Sequence, residues 1–250
     1  MALILCIDTS TAVLSVALAR DGAVVCERVC TEARQQASLT APLVREVLSA
    51  EGLRVADCDA VCVSSGPGSY TGLRVGVSTA KGLCFGADIP LLSVGTLDIL
   101  VEGCYSAGAK RHRGSGGLVP QFVEDNMDDK GSIASFIIPM IDARRMEVYT
   151  AAYSTEGERL TPVEAKIVEE DSFAGELSRG PVLFVGDGAL KCAQVIKHPN
   201  ATFREAFPLA RYMAPLAQEA FAAGRFENLA YFEPFYLKDF VATVSKKQLW

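Results

Sequence analysis

The chain has 250 residues, of which 50% are hydrophobic, and it carries 24 Lys and Arg against 30 Asp and Glu, for a formal net charge of -6. This length allows one large domain or two of ordinary size. The acidic balance argues against a surface that binds nucleic acid directly, and the presence of two histidines, His112 and His198, argues against a histidine-rich metal site.

The first hundred residues predict an α/β unit that opens with three strands. Apolar runs at 3–8, 12–19 and 24–29 predict these strands, and Asp21-Gly22 is typical of the hairpin turn between the second and the third. Leu39, Leu43 and Val47 repeat every four residues, which predicts an amphipathic helix from Ser38 to near Gly52. The elements expected next are a strand at 59–64, a helix at 71–85, a strand at 91–94 and a helix at 96–101.

The opening pattern then recurs. Residues 137–157 align with residues 4–22 so that Asp142 matches Asp8, and Gly157 matches Gly22 after one insertion. A further strand at 181–186 and helices near 189–196 and 213–223 complete the second copy. We therefore expect two similar α/β domains, each with a carboxylate at the carboxyl end of its first strand, where ligands of such sheets usually bind.

These patterns divide the chain into three parts. Residues 1–104 form the first domain, 105–132 an insert or linker, and 133–250 the second domain, whose last helix and tail could pack back on the first. The stretch 111–132 mixes basic, Gly-Ser and acidic clusters without apolar periodicity. It fits an inert insertion at least as well as a functional lid.

The most distinctive motif is SSGPGSYTGLRVG at 64–76, between a predicted strand and a predicted helix. Gly66, Gly68 and Ser69 suggest an anion cradle at a helix start, but the spacing is neither that of a Walker motif nor that of a dinucleotide fingerprint. Gly72 and Gly76 are spaced four apart, as on a face where backbones approach closely. We favour close packing or partner contact over phosphate binding.

Three acidic residues, Asp8, Asp142 and Asp187, could meet in one cleft and hold a magnesium nucleotide. Each could equally be a residue of a strand-end turn. The candidate nucleotide or phosphate contacts are Asp8, Ser10, Gly66, Gly68, Ser69, Asp142 and Gly186. A hydrolase would also need a nucleophile beside a base, and neither histidine lies on a predicted rigid element, which argues against a hydrolase.

The eight cysteines contain no CxxC pair. Cys6, Cys26 and Cys62 lie in apolar runs, which favours structural thiols over zinc ligands. No run approaches the roughly 18 apolar residues of a membrane span, and no secretory signal is evident. We expect a cytoplasmic protein with reduced thiols.

Several of these motifs together resemble the TsaB family of actin-like (ASKHA) proteins in bacterial threonylcarbamoyladenosine biosynthesis. The matching segments are IDTST near 7–11, SSGPGSYTGLRVGVSTAKGL at 64–83, PLLSVGTLD at 90–98, IDARRMEVY at 141–149 and EPFYLKDFVA at 233–242. The resemblance implies two ribonuclease-H-like subdomains, each with a mixed sheet that opens with a β-meander.

The resemblance also implies a non-catalytic partner of TsaD, the paralogue that transfers the threonylcarbamoyl group to N6 of adenosine 37 in tRNAs reading ANN codons. TsaE would join with ATP, tRNA would be contacted through the complex, and the chain alone would form a homodimer. No cofactor is expected for the isolated chain, although ATP and magnesium could bind within the complex. The expected interface residues are Leu39, Leu43, Val47, Leu73, Gly72, Gly76 and Val77. The alternative is a magnesium-nucleotide enzyme of the ATPase or kinase type. A second rival, peptidase activity, is disfavoured because the metal ligands that it would need are missing from the sequence.

Overall fold

The computed structural model describes residues 1–105 and 134–238. The segment 111–132, which the sequence predicts as an insert or linker, lies outside the described residues, as do residues 239–250.

The first domain contains a five-stranded mixed sheet. Its strands are β1 (Leu3–Asp8), β2 (Leu14–Arg20), β3 (Ala23–Cys30), β4 (Ala60–Ser64) and β5 (Leu91–Val94). They lie in the order β3-β2-β1-β4-β5. The three strands of the opening meander pair antiparallel, whereas β4 runs parallel to both β1 and β5.

The second domain repeats this topology. Its strands are β6 (Phe136–Asp142), β7 (Glu147–Thr150), β8 (Glu164–Ile167), β9 (Val182–Val185) and β10 (Ala201–Arg204). Read from the opposite edge, their order is β8-β7-β6-β9-β10, with the same antiparallel and parallel pairings in the same places. Asp8 ends β1 and Asp142 ends β6, as the alignment of the two copies predicts. The duplication is confirmed.

Helices cover both faces of the first sheet. The helices are α1 (Gln36–Ala50), α2 (Tyr70–Ala87), α3 (Thr96–Glu102), α4 (Ala174–Arg179), α5 (Ala189–Cys192) and α6 (Ala210–Ala222). Side chains alternate along β1, so Leu5 and Ile7 pack with α1 and α2, while Ile4 and Cys6 pack with α6 on the opposite face. A strand buried on both faces reads as one continuous apolar run, which is why LILCI shows no alternation.

The third helix joins the two domains. Leu97, Leu100 and Val101 of α3 pack in one apolar cluster with Ile137 and Ile141 of β6. The first domain therefore supplies part of the core that covers the second sheet.

Three short elements of the second domain escape sequence-based prediction: β8, α4 and β10. Each has at most six residues and contains charged side chains, so the apolar periodicity that indicates an element is too short to detect. The predicted helix at 189–196 is also shorter than expected, because α5 ends at Cys192. Among the described residues, no helix is both long and apolar enough to cross a membrane.

Candidate functional site

The loop between β4 and α2 packs directly on the residues that follow β1. The backbone N–H of Ser69 donates to the Ser10 carbonyl at 2.7 Å, and Ser69 in turn caps α2 by accepting from the Gly72 N–H at 3.2 Å. A Cβ placed at Gly68 would lie 2.3 Å from the Ser10 carbonyl oxygen. Only glycine fits such an approach of two backbones.

Thr9 makes the corresponding contacts one turn further along α2. Its hydroxyl donates to the Gly72 carbonyl at 2.7 Å, and a Cβ at Gly72 would lie 2.1 Å from the Thr9 carbonyl oxygen. A Cβ at Gly76 would lie 2.2 Å from the Thr9 hydroxyl oxygen. These contacts support the packing interpretation of the glycine motif. Phosphate contact at Gly66, Gly68 and Ser69 stays a prediction.

Asp8 is fully buried at the end of β1. One carboxylate oxygen accepts from the Ser10 hydroxyl at 2.7 Å and from the Ser10 N–H at 3.3 Å, whereas the other has no hydrogen bond of ordinary geometry from the described residues. The nearby Ser64 hydroxyl still acts on the carboxylate and lowers its pKa. Burial raises the pKa of Asp8 to about 6, and the negative charge of Asp187 adds to this rise. The end of β1 therefore holds a buried carboxyl group whose charge is poorly compensated.

Asp187 lies beside Asp142 in the second domain. It follows β9, and its carboxylate accepts from the Asp142 N–H at 2.9 Å. Burial raises the pKa of Asp187 to about 6, with a further contribution from the charge of Asp142. The charge of Asp187 makes the smallest contribution to the raised pKa of Asp8, and a single site shared by Asp8, Asp142 and Asp187 stays a prediction.

Lys191 lies beside Asp142, and it is not among the site residues that the sequence predicts. Its ammonium group forms an ion pair with the Asp142 carboxylate and donates to the carbonyls of Arg145 and Glu147, each at 2.7 Å. These bonds hold the turn after β6, where Arg144 and Arg145 both adopt positive φ, at 72° and 52°. The available signal was the position of Lys191 in the helix that follows the Gly186-Asp187-Gly188 turn.

Gly186 meets the same packing demand as the glycines of the first domain. Its φ is 140°, and a Cβ there would lie 2.1 Å from the Met140 carbonyl oxygen.

Within residues 1–105 and 134–238, no group of three or more His, Cys, Asp or Glu side chains is placed to hold a metal ion. All eight cysteines are free thiols, and six of them are buried.

The burial of the expected interface residues does not fit the predicted partner contacts. Six of the seven expected residues are core residues of the folded chain: Leu43, Val47, Gly72, Leu73, Gly76 and Val77. The seventh, Leu39, is partly buried against the same core. Core side chains of the folded chain cannot form its outer surface, so any contact through α1 and α2 uses their other faces.

The outer faces of α1 and α2 form a continuous layer over the first sheet, which we term the α1/α2 face. On α1 it presents small and charged side chains, and on α2 it presents small residues, one arginine and one aromatic ring; its members are Ala37, Ala41, Arg45, Ser49, Thr71, Arg74, Ser78, Gly82, Phe85 and Gly86. The Phe85 side chain is 83% exposed. A Cβ at Gly82 or Gly86 would have no described atom within 4 Å.

Two cavities lie where the two domains meet. A cavity of about 350 Å³ has a mostly apolar lining that includes Val13, Leu100 and Tyr212. A second, of about 220 Å³, is lined by the β4–α2 loop, Asp98, Arg159 and Phe235. Neither lining contains Asp8, Asp142 or Asp187.

The repeated mixed sheets packed with helices define a two-domain α/β protein of the actin-like (ASKHA) class. The model superposes with a TM-score of 0.75 on a Pseudomonas aeruginosa protein described as uncharacterized with similarity to peptidase YeaZ. That protein is 26% identical, and the match covers 95% of this chain and 100% of the other. A structure described as YeaZ from the same species gives a TM-score of 0.73.

Sequence comparison identifies the family within this class. The chain is 32% identical to the tRNA threonylcarbamoyladenosine biosynthesis protein TsaB of Escherichia coli, over 96% of both chains. The Bacillus subtilis TsaB is 29% identical over 78% of this chain and 75% of its own. Residues 19–113 also match the family model "TsaD: tRNA N6-adenosine threonylcarbamoyltransferase". The chain belongs to the TsaB family, as its motifs predict.

Proposed function

We propose that this chain is a non-catalytic accessory subunit of the assembly that transfers a threonylcarbamoyl group to N6 of adenosine 37 in tRNAs reading ANN codons. Its family membership and the TsaD-like match of residues 19–113 support this role. The transfer itself would take place on a TsaD-type subunit, with a TsaE-type ATPase as a further partner. The tRNA would be contacted through the complex, consistent with the net charge of -6.

The observation that carries the proposal is the composition of the α1/α2 face. Phe85 is largely exposed beside Gly82 and Gly86, whose Cβ positions would have no described atom within 4 Å outside their chain neighbours and the backbone of their own helix. Small residues let another helix approach closely, and an exposed aromatic side chain is typical of the residues that dominate binding energy. A helix pair seated here could bury about 1,600 Å², an ordinary interface size.

The same face would pair two copies of the chain when the TsaD-type subunit is absent. Both complexes would then use Phe85 and the small residues of α2, so they would compete. Titrating a TsaD-type subunit into the homodimer should yield heterodimer at the expense of homodimer, as measured by sedimentation velocity. A ternary species that retains the homodimer contact would contradict the shared face.

The chemistry of the cleft supports a non-catalytic role. Asp142 is paired with Lys191, so the chain supplies its own cation beside the acidic residues. His198 lies in an exposed turn, where its Nδ1 accepts from the Asn200 N–H at 3.1 Å. Neither Lys191 nor His198 is placed as a base beside a nucleophile, which acyl transfer or hydrolysis would require.

Reconstitution of threonylcarbamoyladenosine formation, with and without this chain, tests the proposal directly. We expect product to accumulate when the purified chain is added to TsaD-type and TsaE-type subunits, ATP and the threonylcarbamoyl donor. Product formation at the same rate without the chain would refute the accessory role.

One observation favours the alternative of a magnesium-nucleotide enzyme. The charge of Asp187 acts on Asp8, and one Asp8 oxygen has no hydrogen bond of ordinary geometry from the described residues, so a cation would find an available ligand there. Magnesium would supply charge neutralisation for the phosphates of ATP, with Asp8 and Asp187 as the candidate ligands. Thr9 and Ser10, however, fill the space beside Gly68, Gly72 and Gly76 that a phosphate would need.

Calorimetry of the isolated chain with ATP and magnesium separates the two functions. We expect no saturable binding in the micromolar range. Micromolar binding together with ATP turnover that is lost in Asp8→Asn would establish the alternative. Binding that appears only after a TsaD-type subunit is added would instead place the nucleotide within the complex.

A further inference from the structure

We infer that residues 233–238 act as a strap that holds the two domains together across a cavity between them, and that release of its far end opens this cavity. The strap lies in the segment that follows α6, and it runs from the surface of the first domain to a strand of the second.

The segment is first fixed to the edge of the first sheet. The Glu227 N–H donates to the Leu91 carbonyl at 2.8 Å, and the Glu227 carboxylate accepts from the Ser93 hydroxyl at 2.6 Å. Lys81 of α2 then donates to the carbonyls of Ala230 and Phe232, both at 3.2 Å. These bonds, together with the packing of Phe232 on the core of the first domain, anchor the near end of the strap.

The strap next crosses the β4–α2 loop. The Phe235 N–H donates to the Ser65 carbonyl at 2.7 Å. Gly66 has a φ of 109°, and a Cβ there would lie 2.7 Å from the Phe235 carbonyl oxygen. The Tyr236 ring packs on Tyr70, at the start of α2, with ring centroids 4.6 Å apart. Gly66 is therefore needed where the strap lies on the loop.

Three residues further on, the strap reaches the second domain. The Lys238 ammonium group forms an ion pair with the carboxylate of Glu147, the first residue of β7, and lies 5.9 Å from the Tyr149 ring centroid. The Lys238 and Glu147 side chains are 35% and 23% exposed. Partly exposed ion pairs contribute little to stability, so among the residues that the structure describes the contacts of Lys238 are weaker than those of the near end. Release should therefore occur at Lys238 while the near end stays bound.

The strap forms one wall of the cavity of about 220 Å³. Ser65 and Asp98 line it from the first domain, Arg159 and Val163 line it from the second, and Phe235 of the strap completes it. Because the lining comes from both domains and the strap contacts both, detaching Lys238 would remove a restraint on the separation of the two sides. The strap thereby controls solvent access to Asp98 and Arg159.

A charge-swap experiment on the full chain tests this inference. Residue-resolved hydrogen exchange is measured for the wild type, Lys238→Glu, Glu147→Lys and the double variant that carries both changes. An exposed ion pair corresponds to roughly a two- to fivefold change in an equilibrium. We expect each single variant to exchange the amides of Phe235, Arg159 and Val163 about two to five times faster, and the double variant to return them to wild-type rates.

A matched control separates release of the strap from general loss of stability. Arg211→Glu breaks the 2.6 Å ion pair with Glu27, which joins α6 to β3 within the first domain. It should leave the amides of Phe235, Arg159 and Val163 at wild-type rates. Equal acceleration of these amides in Arg211→Glu would overturn the inference, as would unchanged rates in Lys238→Glu.

Tyr236→Ala provides a second variant that does not depend on the charge swap. It removes the contact with Tyr70 and leaves Lys238 and Glu147 in place. Since aromatic pairs stabilise by a comparable amount, we expect faster exchange at the same amides by roughly two- to tenfold. If the double swap does not fold, Tyr236→Ala and Lys238→Glu decide the question, and wild-type exchange in both would refute the strap.

Discussion

The charge of Asp187 contributes to the raised pKa of Asp8, although 179 positions of the sequence separate the two residues and each belongs to a different copy of the repeated unit. Both are largely withdrawn from water, and burial raises the pKa of each to about 6. At neutral pH both carboxyl groups are therefore charged, and these charges are less well solvated in the folded chain than in the unfolded chain. The arrangement opposes folding and leaves a measurable pH dependence.

The first prediction concerns this pH dependence. With folded-state pKa values of about 6 against an ordinary value of 3.8, the folded chain binds more protons than the unfolded chain between about pH 4 and 6. Stability should therefore fall as the pH rises through this window and change little above it. For fully buried Asp8 the shift corresponds to roughly 3 kcal/mol. Urea unfolding at a series of pH values measures this slope.

Asp8→Asn should remove the contribution of Asp8. The asparagine oxygen can still accept from Ser10, and the charge is gone, so we expect a gain of about 1–3 kcal/mol at pH 7.5 and a shallower slope between pH 4 and 6. Asp88→Asn is the matched control, because Asp88 is exposed and has the left-handed conformation that asparagine also adopts. Unchanged stability and an unchanged slope in Asp8→Asn would show that burial of the charged Asp8 carboxylate does not destabilise the folded chain.

The second prediction concerns Lys191. Lys191→Met removes the donor to the carbonyls of Arg145 and Glu147 and leaves the Asp142 carboxylate without its cation. Hydrogen bonds to charged groups contribute about 1.5–3 kcal/mol, so we expect a loss of this size in urea unfolding. Lys197→Met should cost less than about 0.5 kcal/mol, because Lys197 is exposed and donates to the Ala193 carbonyl within its own turn. Equal effects of the two substitutions would deny Lys191 a special role.

The repeated topology could be predicted because each copy has the same local pattern of apolar and polar residues. Both β1 and β6 are apolar runs that end in Asp, and a hairpin follows each of them. Buried strands and amphipathic helices produce such patterns wherever they occur. The contacts of Lys191 could not be predicted in this way, since they join residues more than forty positions apart whose meeting depends on the packing of the second domain.

The sequence also did not show which side of α2 is exposed to solvent. Leu73 and Val77 lie in the core, whereas Phe85 lies in solvent, yet all three are hydrophobic. Small residues occur on both sides of the helix, because Gly76 packs on Thr9 while Gly82 faces outward. Periodicity locates a helix, but it assigns the buried side only when one side is polar.

The third prediction uses these two kinds of glycine within α2. Gly72→Ala places a methyl group 2.1 Å from the Thr9 carbonyl oxygen, which is backbone and cannot move aside. We expect a loss of more than about 2 kcal/mol, of the order found for overpacked cores. Gly82→Ala meets no described atom within 4 Å and should stabilise the chain by about 0.5–1 kcal/mol through its higher helix propensity. Thermal unfolding of the two variants measures the contrast, and a stabilising Gly72→Ala would disprove the close approach.

The fourth prediction addresses the α1/α2 face. Phe85→Ala should weaken binding to a TsaD-type subunit by about 2 kcal/mol or more if the exposed ring is an anchor of the interface, and Gly82→Trp should block close approach of the partner helix. Neither substitution removes a core contact, so both variants should keep the unfolding midpoint of the wild type within a few degrees. Co-elution and calorimetric titration with the purified TsaD-type subunit measure the effect.

The second domain offers matched controls for both substitutions. Ile167→Ala truncates a hydrophobic side chain on β8 that is 67% exposed, and Gly175→Trp adds a ring at an exposed helical glycine with no described atom within 4 Å of its Cβ position. Both should bind like the wild type, because binding through α1 and α2 leaves this side of the chain uncovered. If Phe85→Ala and Gly82→Trp bind normally while Ile167→Ala or Gly175→Trp does not, the partner lies against the second domain and the α1/α2 face is free in the complex.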